Sequence, residues 1–421
     1  METAEGLVNL RLKGGRPYTG IDMKTSRRDH LRLLGAAALA FAPSRRSLAL
    51  PSELASALDP APTAPSLKEA AAAAGLVYGS CSDMPFRNAP PKYLDLFVRQ
   101  CALFAPILSW QDVAPTLTKE DDAWDANAGI AVSHGLGITG AHLLWYLRTP
   151  PWLANLSRAE AEKAVAEHIT NIVTFYRGHV FSWNVVNEAI EPPQKGPDGL
   201  SHDGLRMDSP LVRALGTDFF ASAFSNARAA DPAALLLYNE YDLELDNAWQ
   251  QSRRDGLFRL LDRLQKANAP IDGVGLQSHL KLRQFGDFNE KLYRQFLRDI
   301  AARGLKIVIT ELDVDDRGST ADITPRDQAI ADIYARFLAV ALDEPAVCAL
   351  VTWGICDPYS WYNSTWFHEY ARPDHVPQRP LLFDAEFRPK PSFFAVLNAL
   401  KQAPKRNGSP PSPSAIRKLP A

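Results

Sequence analysis

The chain alternates short apolar runs with longer segments in which apolar residues recur every three or four positions. The short runs are rich in β-branched and aromatic residues and are bounded by turn-forming residues, which is typical of β-strands. Repeated strand–helix units predict a parallel sheet covered by helices. Eight such units favour an α/β fold closed into a single (β/α)8 TIM barrel over an open doubly wound sheet. The predicted strands lie near residues 76–80, 104–109, 137–145, 181–187, 235–239, 273–279, 306–312 and 349–354.

Two of the predicted helices have recognisable ends. Ser157 and Glu160 match a capping box, so a helix is predicted over residues 158–176. Another helix is predicted over residues 292–303, with Gly304 as its C-terminal stop. The first helix has one apolar face, formed by Ala161, Val165, Ile169, Ile172, Val173 and Tyr176.

The N-terminus resembles an export signal. Arg27 and Arg28 precede a short apolar run that ends in Ala40-Phe41-Ala42, a small-x-small cleavage pattern. The run is too short to span a membrane, and the paired arginines resemble a twin-arginine (Tat) motif. We therefore predict that residues 1–42 are a Tat-like signal peptide and that the protein is periplasmic or secreted. A chance amphipathic N-terminus and a start at Met23 both stay open.

The remaining chain divides into three predicted segments. Residues 43–66 include the run DPAPTAPS and are predicted to be a Pro/Ala-rich linker. Residues 402–421 are rich in Pro, Ser and basic residues, so we expect a disordered tail. The barrel is therefore expected over residues 67–401 as the single catalytic domain.

Composition narrows the classes of partner. Hydrophobic residues make up 46% of the 421 residues, which is enough for a large core, and the formal net charge is −2. Without a basic patch, we expect no nucleic-acid partner and no membrane span. Because no His, Cys, Asp or Glu cluster has zinc or EF-hand spacing, we expect no metal and no cofactor. We also expect a monomer.

The four cysteines are too few for a disulfide scaffold. Cys348 and Cys356 flank one predicted strand, which would hold them too far apart to bridge each other. Cys81 and Cys356 would follow neighbouring strands of a closed barrel. A Cys81–Cys356 bridge and unbridged thiols, including Cys101, both stay open.

Two apolar strands end in carboxylates that suit a two-carboxyl mechanism. Glu188 closes the run 183–188 (WNVVNE), and Glu311 lies in the run 307–314 (IVITELDV). Residues at the C-terminal ends of barrel strands face the active-site mouth. Cleavage of a glycosidic bond needs one carboxyl group that protonates the leaving oxygen. In retaining enzymes it also needs a second carboxylate that attacks the sugar. Two carboxylates at the ends of these two strands predict a glycosidase site, although either glutamate alone would more often be a solvated strand-end carboxylate.

These motifs resemble glycoside hydrolase family 10, the endo-β-1,4-xylanase family, over most of residues 75–400. Trp183 to Glu188 matches the family's Trp-Asp-Val-Val-Asn-Glu segment, with Asn184 for Asp, and Thr310 to Asp313 matches its Thr-Glu-Leu-Asp segment. The resemblance implies a retaining enzyme with Glu188 as acid/base and Glu311 as nucleophile. It implies a polysaccharide substrate. It also implies that His279 hydrogen-bonds to Glu311, either directly or through Asp313. The residues assigned to substrate binding are Asn187, Trp110, Trp145, Arg148, Tyr241, Gln277, His279, Trp353 and Trp361.

The chain departs from the family pattern after strands two and three. Residues 105–110 (APILSW) replace Glu-Asn-x-Met-Lys-Trp, so only the Trp survives. After strand three the family's sugar-contacting His falls on Ala141. The next residue, His142, should point to the other face unless the strand has a bulge. Tyr146 and Arg148 replace the family's second His and its Gln.

Three functions therefore stay open. The first is an exported endo-acting β-1,4-glycanase with xylan as substrate. The second is an enzyme for another, acidic or substituted, β-linked polysaccharide such as a bacterial exopolysaccharide. Arg148 favours this second function because arginine pairs well with carboxylates, although it could equally form a salt bridge within the protein. The third is a carbohydrate-binding barrel that has lost activity, which the retention of Glu188 and Glu311 argues against.

Overall fold

The computed structural model describes residues 65–82, 84–107, 110, 125–192, 194 and 202–406. The predicted signal peptide and tail beyond residue 406, and the linker up to residue 64, lie outside the described residues. Ser66, predicted as the end of the linker, is the N-cap of the first described helix. No helix in the described ranges is both long enough and apolar enough to cross a membrane.

Nine strands form one parallel sheet that closes on itself. The sixth predicted strand is present as two short strands, because Ser278 has a left-handed φ of 59° between them. Both pieces pair with the same following strand, so the barrel has the predicted eight positions. The strands are β1 Val77–Cys81, β2 Leu103–Ala105, β3 Gly137–Trp145, β4 Val180–Asn187, β5 Leu235–Glu240, β6 Gly273–Leu276, β7 His279–Lys281, β8 Lys306–Asp315 and β9 Val347–Thr352.

Helices follow most strands and cover the outside of the barrel. The described helices are α1 Leu67–Ala73, α2 Pro91–Gln100, α3 Asp125–Ser133, α4 Arg158–Phe175, α5 Pro210–Leu215, α6 Phe219–Ala230, α7 Ala248–Lys266, α8 Glu290–Ala301, α9 Ile323–Ala341 and α10 Pro391–Gln402. The (β/α)8 TIM barrel predicted from the alternation is thus confirmed.

Closure of the barrel is visible in the pairing of β1 with β9. Val77 pairs with Ala349 and Ser80 with Thr352, while β2 pairs with the other edge of β1. One large apolar cluster fills the space between strands and helices. A second, smaller cluster with members on β1, β2, β4, β5, β8 and β9 joins the strands across the sheet. The barrel is therefore a packed core, and polar side chains gather at its C-terminal end.

Helix α4 forms as its sequence predicts. Its N-cap is Ser157, and the capping box with Glu160 is present. All six residues of the predicted apolar face are buried. This helix lies between β3 and β4, the strands that lead to Trp145 and Glu188.

The described chain stays packed beyond the predicted boundary at residue 402. The backbone N–H of Arg406 donates to the carbonyl oxygen of Ala74 at 3.0 Å. Its guanidinium donates to the carbonyl oxygens of Leu342, at 2.6 Å, and Val347, at 3.3 Å. Residues 402–406 therefore belong to the packed domain rather than to a tail.

None of the four cysteines, which all lie in the described part of the chain, forms a disulfide. Cys81, Cys101, Cys348 and Cys356 are all buried thiols. Burial raises the pKa of the Cys101 and Cys356 thiols well above the ordinary value. The possible Cys81–Cys356 bridge is therefore not formed.

Strand β3 contains an irregularity that sequence alternation does not predict. Its register with β4 shifts on either side of Thr139, and the adjacent Gly140 has a φ of +71°. Left-handed backbone of this kind suits glycine because it has no Cβ. The bulge lies two residues before His142 and changes which side chains face the barrel mouth.

Strand β6 approaches β5 so closely that only glycine fits at residue 275. A Cβ on Gly275 would lie 2.2 Å from Oδ1 of Asn239 and 3.0 Å from Cγ2 of Thr310. Both neighbours are buried side chains. The lack of a side chain at residue 275 therefore leaves the space that Asn239 occupies.

We expect Gly275→Ala to lower the free energy of unfolding by about 1–3 kcal/mol, the usual cost of overpacking a core. It should also displace the side chain of Asn239, which occupies that space. Urea unfolding of purified variants measures the first effect. Gly129→Ala is the control, since a Cβ there meets nothing within 4 Å and alanine favours the helix. Equal stability of the two variants would contradict this account of Gly275.

Candidate active site

Two buried carboxylates lie at the C-terminal end of the barrel. Glu188 directly follows β4, and Glu311 lies within β8. Their exposed fractions are 9% and 4%. Glu188 has a left-handed φ of 57°, which is uncommon for a residue with a side chain and is found most often at functional sites. Its backbone N–H donates to the carbonyl oxygen of Asn239 at 3.0 Å, which fixes this turn to the end of β5.

Two side-chain amides connect the carboxylates through an unbroken series of hydrogen bonds. Nδ2 of Asn239 donates to Oε1 of Glu311 at 2.8 Å and to Oδ1 of Asn187 at 2.9 Å. Nδ2 of Asn187 donates to Oε1 of Glu188 at 3.1 Å. The hydroxyl of Thr310 donates to Oδ1 of Asn239 at 2.7 Å, so that oxygen cannot face Glu311. The network assigns both amide orientations from its donors and acceptors.

Glu188 accepts hydrogen bonds on both carboxylate oxygens. The indole Nε1 of Trp145 donates to Oε2 at 2.8 Å. Nε2 of Gln277 donates to Oε1 at 2.9 Å, beside the bond from Asn187. Three donors from β3, β4 and the β6–β7 junction therefore hold the carboxyl group in one orientation.

Glu311 is held by imidazoles. Nε2 of His279 lies within hydrogen-bond distance of Oε2 of Glu311, at 3.2 Å, and Nε2 of His142 lies 3.4 Å from Oε1 as an ion-pair contact without hydrogen-bond geometry. Burial by itself would raise the pKa of Glu311, but the contacts with both histidines hold it at about 2. The carboxyl group is therefore ionised at neutral pH, as an attacking carboxylate must be.

Asp313 completes the support of His279. Its Oδ1 lies 2.8 Å from Nδ1 of His279, and its Oδ2 accepts from the indole of Trp361 at 2.7 Å. The hydroxyl of Tyr362 also donates to Oδ1 at 3.0 Å. Burial lowers the pKa of His279, but Asp313 and Glu311 outweigh burial and raise it to about 10. A protonated imidazole is therefore placed between two carboxylates and favours the ionised form of each, while burial still raises the pKa of Asp313.

Arg206 supports the turn that carries Glu188. Its Nε donates to the carbonyl oxygen of Glu188 at 3.2 Å, and its Nη2 donates to Glu191 at 2.7 Å and to the hydroxyl of Tyr241 at 3.1 Å. The guanidinium carbon lies 3.9 Å from the centroid of the Tyr146 ring. Tyr146, which replaces a histidine of the related family, is thus the partly buried aromatic partner of a cation–π contact with Arg206.

A buried ion pair lies beneath the same turn. Nη2 of Arg253 donates to Oε1 of Glu240 at 2.5 Å, and both side chains are fully buried. Burial raises the pKa of Glu240 to about 7 against the opposing effects of Arg253 and the Tyr238 hydroxyl. Glu240 also accepts from the backbone N–H of Ile190 at 3.2 Å. The buried Glu240 side chain therefore holds the chain just beyond Glu188.

Most of the residues assigned from sequence lie around this pair. Asn187, Trp145 and Gln277 contact Glu188, and His279 contacts Glu311. Trp353 lies near both imidazoles, with ring centroids 6.4 Å from His142 and 6.2 Å from His279.

Two other assigned aromatic residues lie further from the carboxylates. Trp361 reaches the site through Asp313. The ring of Tyr241 lies 3.9 Å from the guanidinium carbon of Arg253. Both therefore support the groups that position the two carboxylates.

Trp110 lies elsewhere. Its ring stacks on His168, with centroids 4.6 Å apart, and meets Trp152 edge-on at 5.4 Å. Only 3% of it is exposed, so this indole packs the core instead of offering a face to sugar. Arg148 is partly buried in the short 3-10 helix Tyr146–Arg148 that follows β3.

Three residues of the site were not assigned from the sequence. Asn239 lies in a stretch that resembles the family, and its place at the end of β5 is the signal that could have identified it. Arg206 gives no such signal, because it lies in the segment between β4 and α5. His142 was expected to face away, and the bulge at Gly140 reverses that expectation.

No group of three or more His, Cys, Asp or Glu side chains within the described ranges is arranged to hold a metal ion.

Comparisons with known proteins place this chain in a family. Glycosyl hydrolase family 10 matches residues 66–399 of the chain. Endo-1,4-beta-xylanase B of Thermotoga neapolitana is 28% identical over 317 residues, which cover 74% of this chain and 84% of that protein. Endo-1,4-beta-xylanase A of Fusarium oxysporum f. sp. lycopersici is 30% identical over 305 residues, or 70% of this chain and 85% of that protein.

A solved structure agrees in fold. Xylanase 10B from Thermotoga petrophila RKU-1, crystallised in complex with xylobiose, superimposes with a TM-score of 0.69 at 26% identity. The match covers 80% of this chain and 97% of that one. With a family match over most of the described domain and a carboxylate pair at the barrel mouth, the chain belongs to glycosyl hydrolase family 10.

Proposed function

We propose that the chain is a retaining, endo-acting β-1,4-glycanase that hydrolyses xylan-type polysaccharide. The observation that carries this proposal is the contrast between the two carboxyl groups. Glu311 is fixed as an anion by His142 and His279, whereas Glu188 is surrounded by neutral donors. The relatives reported above are named as endo-1,4-beta-xylanases, which supports xylan as the substrate.

In the first chemical step Glu311 acts as the nucleophile. Its carboxylate attacks the anomeric carbon while protonated Glu188 donates its proton to the leaving glycosidic oxygen. The bond to that oxygen breaks as a covalent ester to Glu311 forms. Because His279 is hydrogen-bonded to Asp313 as well, the imidazolium stays in place as the charge on Glu311 is consumed.

In the second step the same groups act in reverse. Glu188, now ionised, takes a proton from a water molecule that attacks the anomeric carbon. The ester to Glu311 breaks, and the sugar is released with its original configuration. Asn187 and Gln277 continue to hold Glu188 through both protonation states by their hydrogen bonds to Oε1.

Replacing each carboxylate separates the two roles. Glu188→Ala should lower turnover of glycans by roughly 10²–10⁴-fold, the usual contribution of a general acid. The glycosylation step of aryl glycosides with good leaving groups should lose much less, because they need little protonation. Glu311→Ala should abolish both activities and regain cleavage of aryl glycosides in azide. Pre-steady-state and steady-state kinetics on both substrate types measure this, and equal losses in the glycosylation step of Glu188→Ala would contradict the assignment.

A second substrate class is favoured by the departures from the family pattern after β2 and β3. Tyr146 and Arg148 both lie on the short helix that follows β3, and Arg206, which covers the Tyr146 ring, is itself paired with Glu191. The residues assigned to sugar contact in the related family are changed after β2 and β3. An acidic or substituted β-glycan is the substrate that this altered wall would suit.

Reducing-sugar release from unsubstituted β-1,4-xylan and from a panel of acidic β-glycans separates the two substrate classes. The leading proposal predicts clear activity on plain xylan. Activity confined to acidic glycans would replace xylan with the second class. No turnover on any glycan or aryl glycoside, together with measurable polysaccharide binding, would contradict both and indicate an inactive binding barrel.

We also propose that the protein is exported by a Tat-type route. The support is the sequence of residues 1–42, with the paired Arg27 and Arg28 before a short apolar run. Changing both arginines to lysine should retain the protein in the cytoplasm of a Tat-competent bacterium. Arg32→Lys, in the same segment, should leave export unchanged. Cell fractionation followed by immunoblotting measures both, and export of the double variant would contradict the proposal.

A further inference from the structure

Strand β3 carries two side chains that reach the active site. His142 lies against Glu311, and Trp145 donates to Glu188. The register of β3 with β4 shifts on either side of Thr139, and Gly140 has a left-handed φ. From Ala141 onward the register is constant, so the irregularity changes the face on which His142 lies relative to the first part of β3.

Asn184 on β4 is bonded to this irregularity. It is 1% exposed, and it pairs in register with His142. Its Nδ2 donates to the carbonyl oxygen of Gly140 at 3.1 Å. A buried backbone carbonyl needs a donor, and the turned Gly140 finds it in this side chain. An ionised aspartate at residue 184 has no hydrogen to donate.

The departures from the family pattern at these positions are therefore physically linked. The related segment has Asp where this chain has Asn184, and it has histidine where this chain has Ala141. In this chain the histidine is one residue later, and the amide that replaces the carboxylate donates to the bulge at Gly140, just before both positions. A regular β3 would take His142 away from Glu311.

We propose that Asn184 is a positioning residue. By bonding to the Gly140 carbonyl, it holds the β3 bulge that places the His142 imidazole against the nucleophile. Asn184 touches neither carboxylate, so it acts through His142. The inference rests on the retaining mechanism proposed above, because its kinetic readout is the reactivity of Glu311.

The kinetic test is the rate at which an activated 2-fluoro xyloside inactivates the full-length enzyme, measured for Asn184→Ala, His142→Ala and the double variant. Loss of one contact to a charged group corresponds to roughly a tenfold or greater loss of rate. We expect each single variant to lose about this factor and the double variant to lose no more than either one. Losses that multiply in the double variant would overturn the proposal, because Asn184 would then act independently of His142.

Ser80→Ala is the matched control. Ser80 lies on β1, and its buried hydroxyl donates to the carbonyl oxygen of Thr352 on β9 at 3.1 Å, so the variant removes a side chain-to-backbone hydrogen bond between two strands of the barrel that lie outside the bulge. It should leave the inactivation rate within about twofold of the wild type, well short of the loss expected for a contact to a charged group. An Asn184→Ala enzyme as active as this control would also overturn the proposal.

A crystal structure of the Asn184 variant tests the inference without relying on enzyme activity. In Asn184→Ala, or in the similarly sized Asn184→Leu if the first variant does not fold, His142 should lie well beyond 3.4 Å from Glu311. An unchanged bulge and an unchanged His142 would overturn the inference. A wild-type enzyme that the 2-fluoro xyloside does not label would instead contradict the retaining mechanism, and the crystal structure would still decide the role of Asn184.

Discussion

Asn239 donates from one amide nitrogen to Glu311 and to Asn187, and Asn187 donates in turn to Glu188. This pair of amides sets where both carboxylates lie, since the segments of β4 and β8 that carry them are both bonded to the end of β5. The space for Asn239 exists because residue 275 has no side chain, and its orientation is fixed by Thr310. The geometry of the catalytic pair therefore follows from close strand packing inside the barrel.

The charges at the site follow from the same enclosure. A carboxylate buried as deeply as Glu311 is costly unless it is paired, and the imidazole of His279 supplies that partner. Asp313 then compensates the imidazolium, and Trp361 and Tyr362 satisfy Asp313. The charges alternate from Glu311 to His279 to Asp313, and the series ends in the neutral donors Trp361 and Tyr362, aromatic side chains of a kind that suits a sugar ring.

Much of this arrangement could be predicted from the sequence, because it depends on periodicity and strand ends. The alternation of apolar runs with helical patterns predicted the barrel. The motifs that contain Glu188 and Glu311 predicted the positions of the two carboxylates. The capping box of α4 was also predicted correctly, because both of its partners lie within four residues of each other.

The parts that were not predicted depend on breaks in regular structure or on contacts between distant segments. His142 was expected to point away from Glu311 unless β3 had a bulge. The alternation of residues along a strand does not reveal the bulge at Gly140. Trp110 was assigned to sugar binding from its motif, yet His168 and Trp152 bury it. Arg206 contacts Glu188 only after the segment beyond β4 folds back. These contacts join residues whose separation in sequence carries no periodic signal.

The most direct test of the account is covalent labelling by an activated 2-fluoro xyloside, with the labelled peptide identified by mass spectrometry and the rate followed against pH. The account predicts a label on Glu311 and a rate that stays level from about pH 7 to about pH 4, because two imidazoles keep that carboxyl ionised well below the ordinary glutamate pKa. A label on another residue, or a rate that falls with the titration of an ordinary glutamate, would contradict it.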